Sequence, residues 1–212
     1  MATREAETSK MMQALDWSYS KALVGLPGSK SVDSLARSYM NESGTLVQKV
    51  DALIRWQNAK CATSGFLTGI GGLLTLPVAI PANLASVLYV QLRMIAAIAK
   101  MGGYDVQDDK VRTLAYVCLC GNSAKDLLKD VGIAVGQKFA TNFLKRQIPK
   151  EIIYAINKAV GFRLVTKSGT TGFINLGKAI PLVGGVIGAA FDGITTNTVG
   201  ETAKRVFILG NP

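Results

Sequence analysis

Few residues in this sequence could carry out acid–base, nucleophilic or metal chemistry. The 212 residues include no histidine, the side chain that most often serves as a general base or a metal ligand. The three cysteines are Cys61, Cys118 and Cys120, whereas a zinc site built of cysteine alone normally needs four thiolates. Free cysteine is usually buried, so we expect all three to be small apolar core residues. The sequence therefore predicts no catalytic residue, no metal site and no cofactor, and it favours a binding protein over an enzyme.

Two further patterns resemble reactive sites only in part. "GLPGSKS" (Gly25–Ser31) ends like a phosphate-binding loop, but its two glycines are three residues apart and no strand is predicted before it. The pair Asp108–Asp109 is better explained as negative charge at the start of a helix. Neither pattern predicts a reaction.

Two charged residues lie in otherwise apolar surroundings. Asp192 is in a glycine-rich stretch, and Arg93 is on a long apolar segment. An unpaired buried charge is costly, so we hypothesise that Asp192 pairs with Arg93 or Gln91. The alternative is that each charge reaches solvent at the edge of its helix.

The net charge of +10 is concentrated in one segment. Residues 138–178 contain eight basic residues and one acidic residue, a net charge of +7. Such a segment favours an acidic membrane surface, although a solvated helix face is an equally good explanation. Aromatic residues do not alternate with the basic ones, which makes nucleic acid an unlikely partner. The predicted contact residues for lipid are Lys138, Lys145, Arg146, Lys150, Lys158, Arg163 and Lys167.

Two charge-poor stretches are broken by glycine and proline. Residues 61–92 contain no charged side chain, and "ATSGFLTG" (Ala62–Gly69) is echoed by "GTTGFINLG" (Gly169–Gly177). Small residues four apart allow helices to approach closely, in a membrane or in a soluble core. The breaks make a straight transmembrane helix of about 20 residues improbable, so we predict two buried or re-entrant hairpins. The residues predicted to pack them together are Gly65, Gly69, Gly72, Gly184, Gly185, Gly188, Asp192 and Arg93.

Helical spacing of apolar residues predominates along the chain. Ser31 is a candidate N-cap, Asp108 or Asp109 the candidate start of a later helix, Gly102 and Gly103 a candidate helix end, and Pro149 a helix start. One helix is predicted through Leu127, Val131, Val135 and Phe139, and no segment alternates like a strand. The fold class is all-α: a single helical domain of about seven helices with two apolar hairpins broken by glycine and proline.

Several blocks resemble the EcsC family of bacterial proteins. "TSGFLTGIGGLLTLPVAIPANLASVLYVQLRMIAAIAKMGGYD" (Thr63–Asp105) has the family's glycine-rich loop, its Pro-x-x-x-Pro step, Gln91 with Arg93, and its Gly-Tyr-Asp ending. Residues 156–172 and 178–192 resemble its later blocks. The resemblance implies that residues 45–212 are an EcsC-like helical domain and residues 1–44 a helical extension packed on it. It also implies membrane association, and it supplies no catalytic residues.

These observations predict a membrane-associated helical protein that binds an anionic lipid surface or a lipid-like ligand. The alternative is a soluble cytosolic interaction module with a buried apolar core and no lipid activity. The sparse cysteines and the charged start of the chain predict a cytoplasmic protein, peripheral at the inner face of the cell membrane. A membrane protein or a second copy of the chain is a further candidate partner.

Overall fold

The computed structural model describes the backbone of residues 2–61, 82–136, 138–166 and 185–210. It describes side chains for residues 4–61, 84–136, 138–166 and 195–210. Within these ranges the chain forms nine α-helices, one short 3-10 helix and no strand, which confirms the all-α fold class. The helices are α1 (Ala2–Val24), α2 (Val32–Met40), α3 (Leu46–Cys61), α4 (Ala82–Met101), α5 (Asp109–Cys118), α6 (Ala124–Asp130), α7 (Phe139–Lys145), α8 (Lys150–Thr166) and α9 (Gly185–Phe207), with the 3-10 turn at Gly121–Ser123.

The helix ends follow local chemistry. The Ser31 hydroxyl accepts a hydrogen bond from the amide of Ser34, and the Asp108 carboxylate accepts one from the amide of Lys110, so the predicted N-cap and the predicted later helix start are confirmed. At the end of α4, Gly103 has φ +83°, a left-handed conformation that glycine adopts without strain. The predicted end of α4 is therefore confirmed as well.

The single helix predicted through Leu127 and Phe139 is wrong, because it is divided into α6 and α7. Gly132, with φ +78°, donates to the carbonyl of Lys129, and Ile133 donates to that of Leu128. This pair of bonds satisfies the last carbonyls of α6 and turns the chain away from the helix axis. Apolar spacing continued across the break because Ile133 still packs against the core.

The hydrophobic core is built around α4. This helix packs against α1, α2, α3, α5 and α9, and nearly all of its side chains are buried. Leu15 of α1 and Leu35 of α2 belong to the same buried cluster as Leu92 of α4. The N-terminal helices thus share one core with the rest of the described chain, while a domain boundary after residue 44 stays a prediction.

One described helix is long and apolar enough to cross a membrane. The window is Leu84–Met101 in α4, and 94% of it is buried inside the protein. Burial of this degree is equally typical of the central helix of a globular core. The helix therefore contributes its apolar surface to packing against its neighbours.

Candidate functional site

The directions of three helices follow from their side-chain contacts. A Cβ added at Gly200 of α9 would lie 2.9 Å from two side-chain carbons of Ile54 and 3.2 Å from the Cε of Met94, so α9 approaches α3 and α4 closely there. The Gln91 side-chain amide donates to the Thr196 hydroxyl over 3.1 Å. The Asn58 side-chain amide donates to the side-chain carbonyl oxygen of Asn197 over 2.8 Å. Along the contact between α4 and α9, residue numbers increase in the same direction on both helices. Along the contact between α3 and α9, they increase in opposite directions. Helices α4 and α9 are therefore parallel to each other and antiparallel to α3.

These directions bring three helix ends to one end of the bundle. At a rise of 1.5 Å per residue, Cys61 lies about 10 Å from the level of Gly200, Ala82 about 18 Å and Gly185 about 22 Å, all in the same direction. We call this the junction end, defined by Cys61, Ala82 and Gly185. The charge-free residues 62–81 follow the first of these ends and precede the second. Residues 168–184, with Lys178 as their one charge, precede the third.

Exposed apolar side chains lie close to the junction end. Trp56, one turn before Lys60, is 54% exposed, and Val24 at the end of α1 is 70% exposed. Ala22 and Leu26, on either side of Val24, pack with Cys61 in a small buried cluster, so α1 also ends here. A tryptophan beside lysine is typical of protein surfaces at a membrane–water boundary.

Several basic side chains lie near the junction end, and the sequence segments that contain them have no acidic residue. Lys21, Lys30 and Arg55 are exposed, and the ammonium of Lys60 lies 5.5 Å from the centre of the Trp56 ring. No aspartate or glutamate occurs in residues 17–32, 52–61 or 82–104. Burial lowers the pKa of Lys60, and the nearby charges of Arg93 and Lys30 lower it further. Lysine and arginine therefore predominate among the charged side chains that the structure describes near the junction end.

Arg93 fixes a loop at the junction end. Its side chain is only 5% exposed, and its Nε and Nη2 both donate to the carbonyl of Lys30, over 3.0 and 2.6 Å. The Tyr89 hydroxyl bonds to that of Ser29 over 2.7 Å, so "GLPGSKS" is attached to α4 at two points. Burial lowers the pKa of Arg93, against the opposing effect of Tyr89 and Tyr39. This loop is held by side chains of the protein and not arranged around a phosphate.

The predicted pairing of Asp192 stays a prediction, because its side chain lies outside the described residues. Gln91 and Arg93 are two residues apart on α4 and so lie about 200° apart around the helix. Gln91 reaches α9, whereas Arg93 reaches the loop before α2. The Gln91–Thr196 bond joins α4 to α9, while the predicted packing of the two hairpins stays a prediction.

The predicted glycine contacts fall mostly on residues whose surroundings are not described. Gly65, Gly69, Gly72 and Gly184 lie outside the described residues. Gly185 and Gly188 are in the helical part of α9, before its first described side chain at residue 195. The close approach that the structure does describe is at Gly200, which the sequence analysis missed. Gly200 continues the four-residue spacing of Gly184 and Gly188, interrupted at Asp192 and Thr196, and that register was the available signal.

The predicted basic residues separate into groups. Lys138, Lys145, Arg146 and Lys150 are exposed, and none makes an ion pair within the described part of the chain. We call these four the groove cations, because Arg146 lines a surface groove at α7 and the other three lie within two residues in sequence of residues that line it. Lys158 lines a different crevice between α1 and α8, together with Glu5 and Asp16. Arg163 is half-buried and lies 3.6 Å from the carboxylate of Asp130, while Lys167 lies outside the described residues.

The groove runs between the loop after α6, helix α7 and the start of α8. Its volume is about 470 Å³, and its walls are mainly apolar. The lining includes Ile133, Phe139, Phe143, Ile148, Ile152 and Arg146. Arg146 is the one charged residue of this lining, so the groove combines apolar walls with a single cationic side chain.

No reactive centre forms among the described residues. All three cysteines are buried, as predicted, and burial raises the pKa of the Cys118 thiol, with a smaller contribution from Cys120. The nucleophilic thiolate form is thereby disfavoured. No group of three or more potential metal-ligating side chains occurs among the described residues. The arrangement is suited to binding through charge and apolar contact.

Comparison with known proteins yields one family and one relative. The model of the EcsC protein family matches residues 6–209, from within α1 to the end of α9. "Uncharacterized protein YdbA" of Bacillus subtilis (strain 168) is 29% identical over 143 residues, which are 68% of this chain and 49% of that protein. The chain thus spans about half the length of this curated relative. No solved structure matches the chain significantly.

Proposed function

The chain belongs to the EcsC protein family, and from that premise we propose that it binds anionic lipid surfaces as a peripheral cytoplasmic protein. In this proposal the junction end faces the bilayer. The glycine-rich residues 62–81 and 168–184 contact lipid there and pack against each other through their small side chains. The cations of the junction end lie near the lipid headgroups, whereas the groove cations lie toward the other end of α9, where the backbone of Gly210 meets Lys138.

The observation that carries the proposal is the shared direction of α4 and α9. Both helices are preceded by a charge-poor, glycine-containing stretch, and both begin at the junction end. Two stretches at one end can meet one flat surface together. If they joined the bundle at opposite ends, a single membrane could not contact both.

The charges are of a useful magnitude for this role. Each lysine or arginine close to an anionic membrane contributes about 1 kcal/mol, so four engaged cations contribute about 4 kcal/mol. That is comparable with the partitioning of one lipid anchor, which alone gives marginal and reversible binding. Apolar contact by Trp56 and Val24 would add to it, and the two terms together support stable but salt-sensitive association.

Tryptophan fluorescence gives a direct test. The sequence has two tryptophans, so Trp17→Phe leaves Trp56 as the single reporter at the junction end. We expect its emission to shift to shorter wavelength with phosphatidylglycerol vesicles, and to be quenched when the acyl chains are brominated. Phosphatidylcholine vesicles should produce little change, and 0.5 M salt should reverse the shift because exposed charges are screened. An unchanged spectrum with both vesicle types would rule out contact at this end.

Matched charge removals then locate the contact. Three triple variants lose the same charge: K21Q/K30Q/K60Q at the junction end, K138Q/K145Q/K150Q among the groove cations, and K10Q/K125Q/K129Q elsewhere. We expect the first to reduce vesicle flotation by tenfold or more, about what the loss of two effective contacts implies, and the second, whose charges lie away from the junction end, to change it little. Equal losses in all three variants would mean that net charge alone governs binding.

The burial of α4 favours a second candidate function. Because 94% of its apolar window is inside the protein, the core is complete around that helix without lipid. A soluble cytosolic interaction module would have the same core. It predicts a monodisperse protein without detergent, no flotation with any vesicle, and unchanged Trp56 emission.

A further inference from the structure

We propose that the groove at α7 binds one molecule of a single-chain anionic amphiphile, with its alkyl chain on the apolar walls and its carboxylate or phosphate at Arg146. This inference rests on the proposed recognition of lipid and names the ligand class. It concerns a site separate from the junction end. A soluble monomeric ligand can therefore test it without a membrane.

The walls of the groove are suited to an alkyl chain. Phe139, Phe143 and Ile152 come from two different helices, and Ile133 and Ile148 come from the segments that connect the helices. A volume of about 470 Å³ is within the range of small-molecule sites, roughly 300–1,000 Å³. The groove is open on one side, so a ligand can enter without unfolding the protein.

One wall is open because glycine replaces a side chain there. A Cβ built at Gly136 has no neighbouring atom within 4 Å, and Gly132 is also unobstructed. The left-handed turn at Gly132 directs the chain along the groove before α7 begins. The break between α6 and α7 is thus the feature that creates the cavity.

The charges around the groove are complementary to an anion. Arg146 lies in the lining, and Lys145 precedes it in sequence. Lys138 and Lys150 precede the wall residues Phe139 and Ile152 by one and two positions, and none of the four cations has an ion-pair partner among the described residues. The nearest acidic residue in sequence, Glu151, is exposed and follows Lys150 directly. An apolar groove lined by one arginine that has no ion-pair partner among the described residues matches a ligand with one charged and one apolar end.

The backbone at Lys138 is an independent sign of a constrained site. Lys138 has φ +58°, the sole positive value among described residues other than glycine. A residue with a side chain is strained in this conformation, and such residues are concentrated at binding and catalytic sites. The surrounding contacts keep it in place, because the amide of Ala140 donates to the carbonyl of Gly210 and the backbone of Gly210 lies against Lys138. The segment that follows α9 thereby holds the residue that precedes α7.

The carbonyl end of α7 is also fixed in a way that leaves Arg146 available. The Lys110 ammonium donates to the carbonyls of Leu144 and Arg146. These bonds use the backbone of Arg146 and not its side chain. The guanidinium remains exposed at the rim, where it can form two parallel bonds to a carboxylate or phosphate.

The test measures binding of monomeric dodecyl phosphate and dodecanoate by calorimetry, with dodecyl maltoside and dodecyltrimethylammonium as neutral and cationic ligands of the same chain length. All are used below their micelle concentrations and without vesicles. We expect one site per chain and at least tenfold preference for the anionic ligands. The two anions separate a phosphate site from a carboxylate site. Equal affinity for all four ligands, or no binding of the anions, would overturn the proposal.

Two pairs of variants locate the site. Ala134→Trp fills the groove from an exposed lining position, and Ala155→Trp makes the same change at an exposed position of α8 outside the lining. The first should abolish binding and the second should leave it unchanged. Arg146→Gln should lower the affinity for both anionic ligands by about fivefold, as expected for a partly exposed ion pair. Lys158→Gln should leave that affinity unchanged. If Ala134→Trp and Ala155→Trp bind equally well, the groove is not the site.

The outcome is distinguishable from that of the proposed membrane function. If the junction-end variant loses vesicle flotation but binds dodecyl phosphate normally, the two sites are separate. The flotation result then supports the membrane contact, and the binding result supports the groove. Absence of flotation in the unmodified protein with intact ligand binding would leave a soluble lipid-binding protein. Flotation with no ligand binding would overturn the groove alone.

Discussion

Gly200→Ala is the most direct perturbation of the contact between α3, α4 and α9. The added methyl carbon would lie 2.9 Å from two side-chain carbons of Ile54, closer than carbon atoms normally approach. Ile54 is buried and branched at Cβ, so its side chain has little freedom to move. The methyl group of Met94, at 3.2 Å, is more easily displaced. The helices must therefore separate or Ile54 must leave its preferred rotamer.

Two opposing terms give the expected magnitude. Overpacking a buried contact costs about 1–3 kcal/mol. Replacing glycine by alanine inside a helix recovers about 0.5–1 kcal/mol. The balance is a destabilisation of about 1–2 kcal/mol, which for a chain of this size lowers the Tm by roughly 2–8 °C.

Gly161→Ala in α8 is the matched control. Gly161 is also buried within a helix, but the nearest atom to its added methyl is the thioether sulfur of Met12 at 3.0 Å. Methionine is flexible, so it can move aside at low cost. We expect Gly161→Ala to change stability by less than about 0.5 kcal/mol or to raise it through helix propensity.

Chemical denaturation monitored by circular dichroism, with a double-mutant cycle, completes the assay. Ile54→Ala removes both carbons that the new methyl would meet, at a cost of about 2–5 kcal/mol. In that background Gly200→Ala should be neutral or stabilising, which corresponds to a coupling of at least about 1 kcal/mol. A Gly200→Ala protein as stable as the unmodified one, or a cost unchanged by Ile54→Ala, would refute the close approach of α9.

Three further outcomes are expected. Burial and the neighbouring carboxylate of Asp16 raise the pKa of Tyr116, whose hydroxyl donates to Asp16 over 2.7 Å. The neutral phenol therefore stabilises the fold below about pH 10, and this stability is lost as pH rises above that value. Denaturation midpoints between pH 9 and 11 should therefore fall more steeply for the unmodified protein than for Tyr116→Phe. Arg93→Lys removes the paired bonds to the carbonyl of Lys30 and should lower the free energy of unfolding by about 1–3 kcal/mol. Amide exchange in residues 25–31 should become faster, and unchanged exchange there would contradict the role of Arg93. The three cysteines are buried, so a thiol reagent should label none in the native protein and three after unfolding, and fast native labelling would contradict the packing.

The ends of the helices were predictable because their signals are local. Ser31 and Asp108 bond to amides three and two residues ahead, so the sequence alone contains both partners. Gly103 ends α4 for a reason equally confined to its own turn. The break at Gly132 had a local signal too, but apolar spacing on both sides of the glycine suggested continuity. A lone glycine is tolerated within many helices, so its conformation depends on whether the following residue has a core to pack against.

The charges were harder to assign because their partners are distant in sequence. Arg163 pairs with Asp130, and Lys204 bonds to Asp51 across two helices that are antiparallel. A count along residues 138–178 treats Arg163 like Arg146, although one has an acidic partner and the other does not. The segment predicted as a single basic contact therefore contains four unpaired groove cations, together with Lys158 and Arg163, whose neighbours include carboxylates. Periodicity within one helix cannot supply this distinction.

The echo between residues 62–69 and 169–177 acquires a physical meaning from the direction of the helices. Each copy precedes a helix with an apolar face, α4 or α9, and those two helices are parallel and begin at the same end. Two similar charge-poor segments are therefore attached to the same end of the bundle. Helix α4 is already covered by α1, α2, α3, α5 and α9. Attachment at a shared end is what the proposed contact with one anionic surface needs. A soluble interaction module could carry the same basic residues at this end. The emission of Trp56 with anionic and with zwitterionic vesicles therefore separates the two explanations.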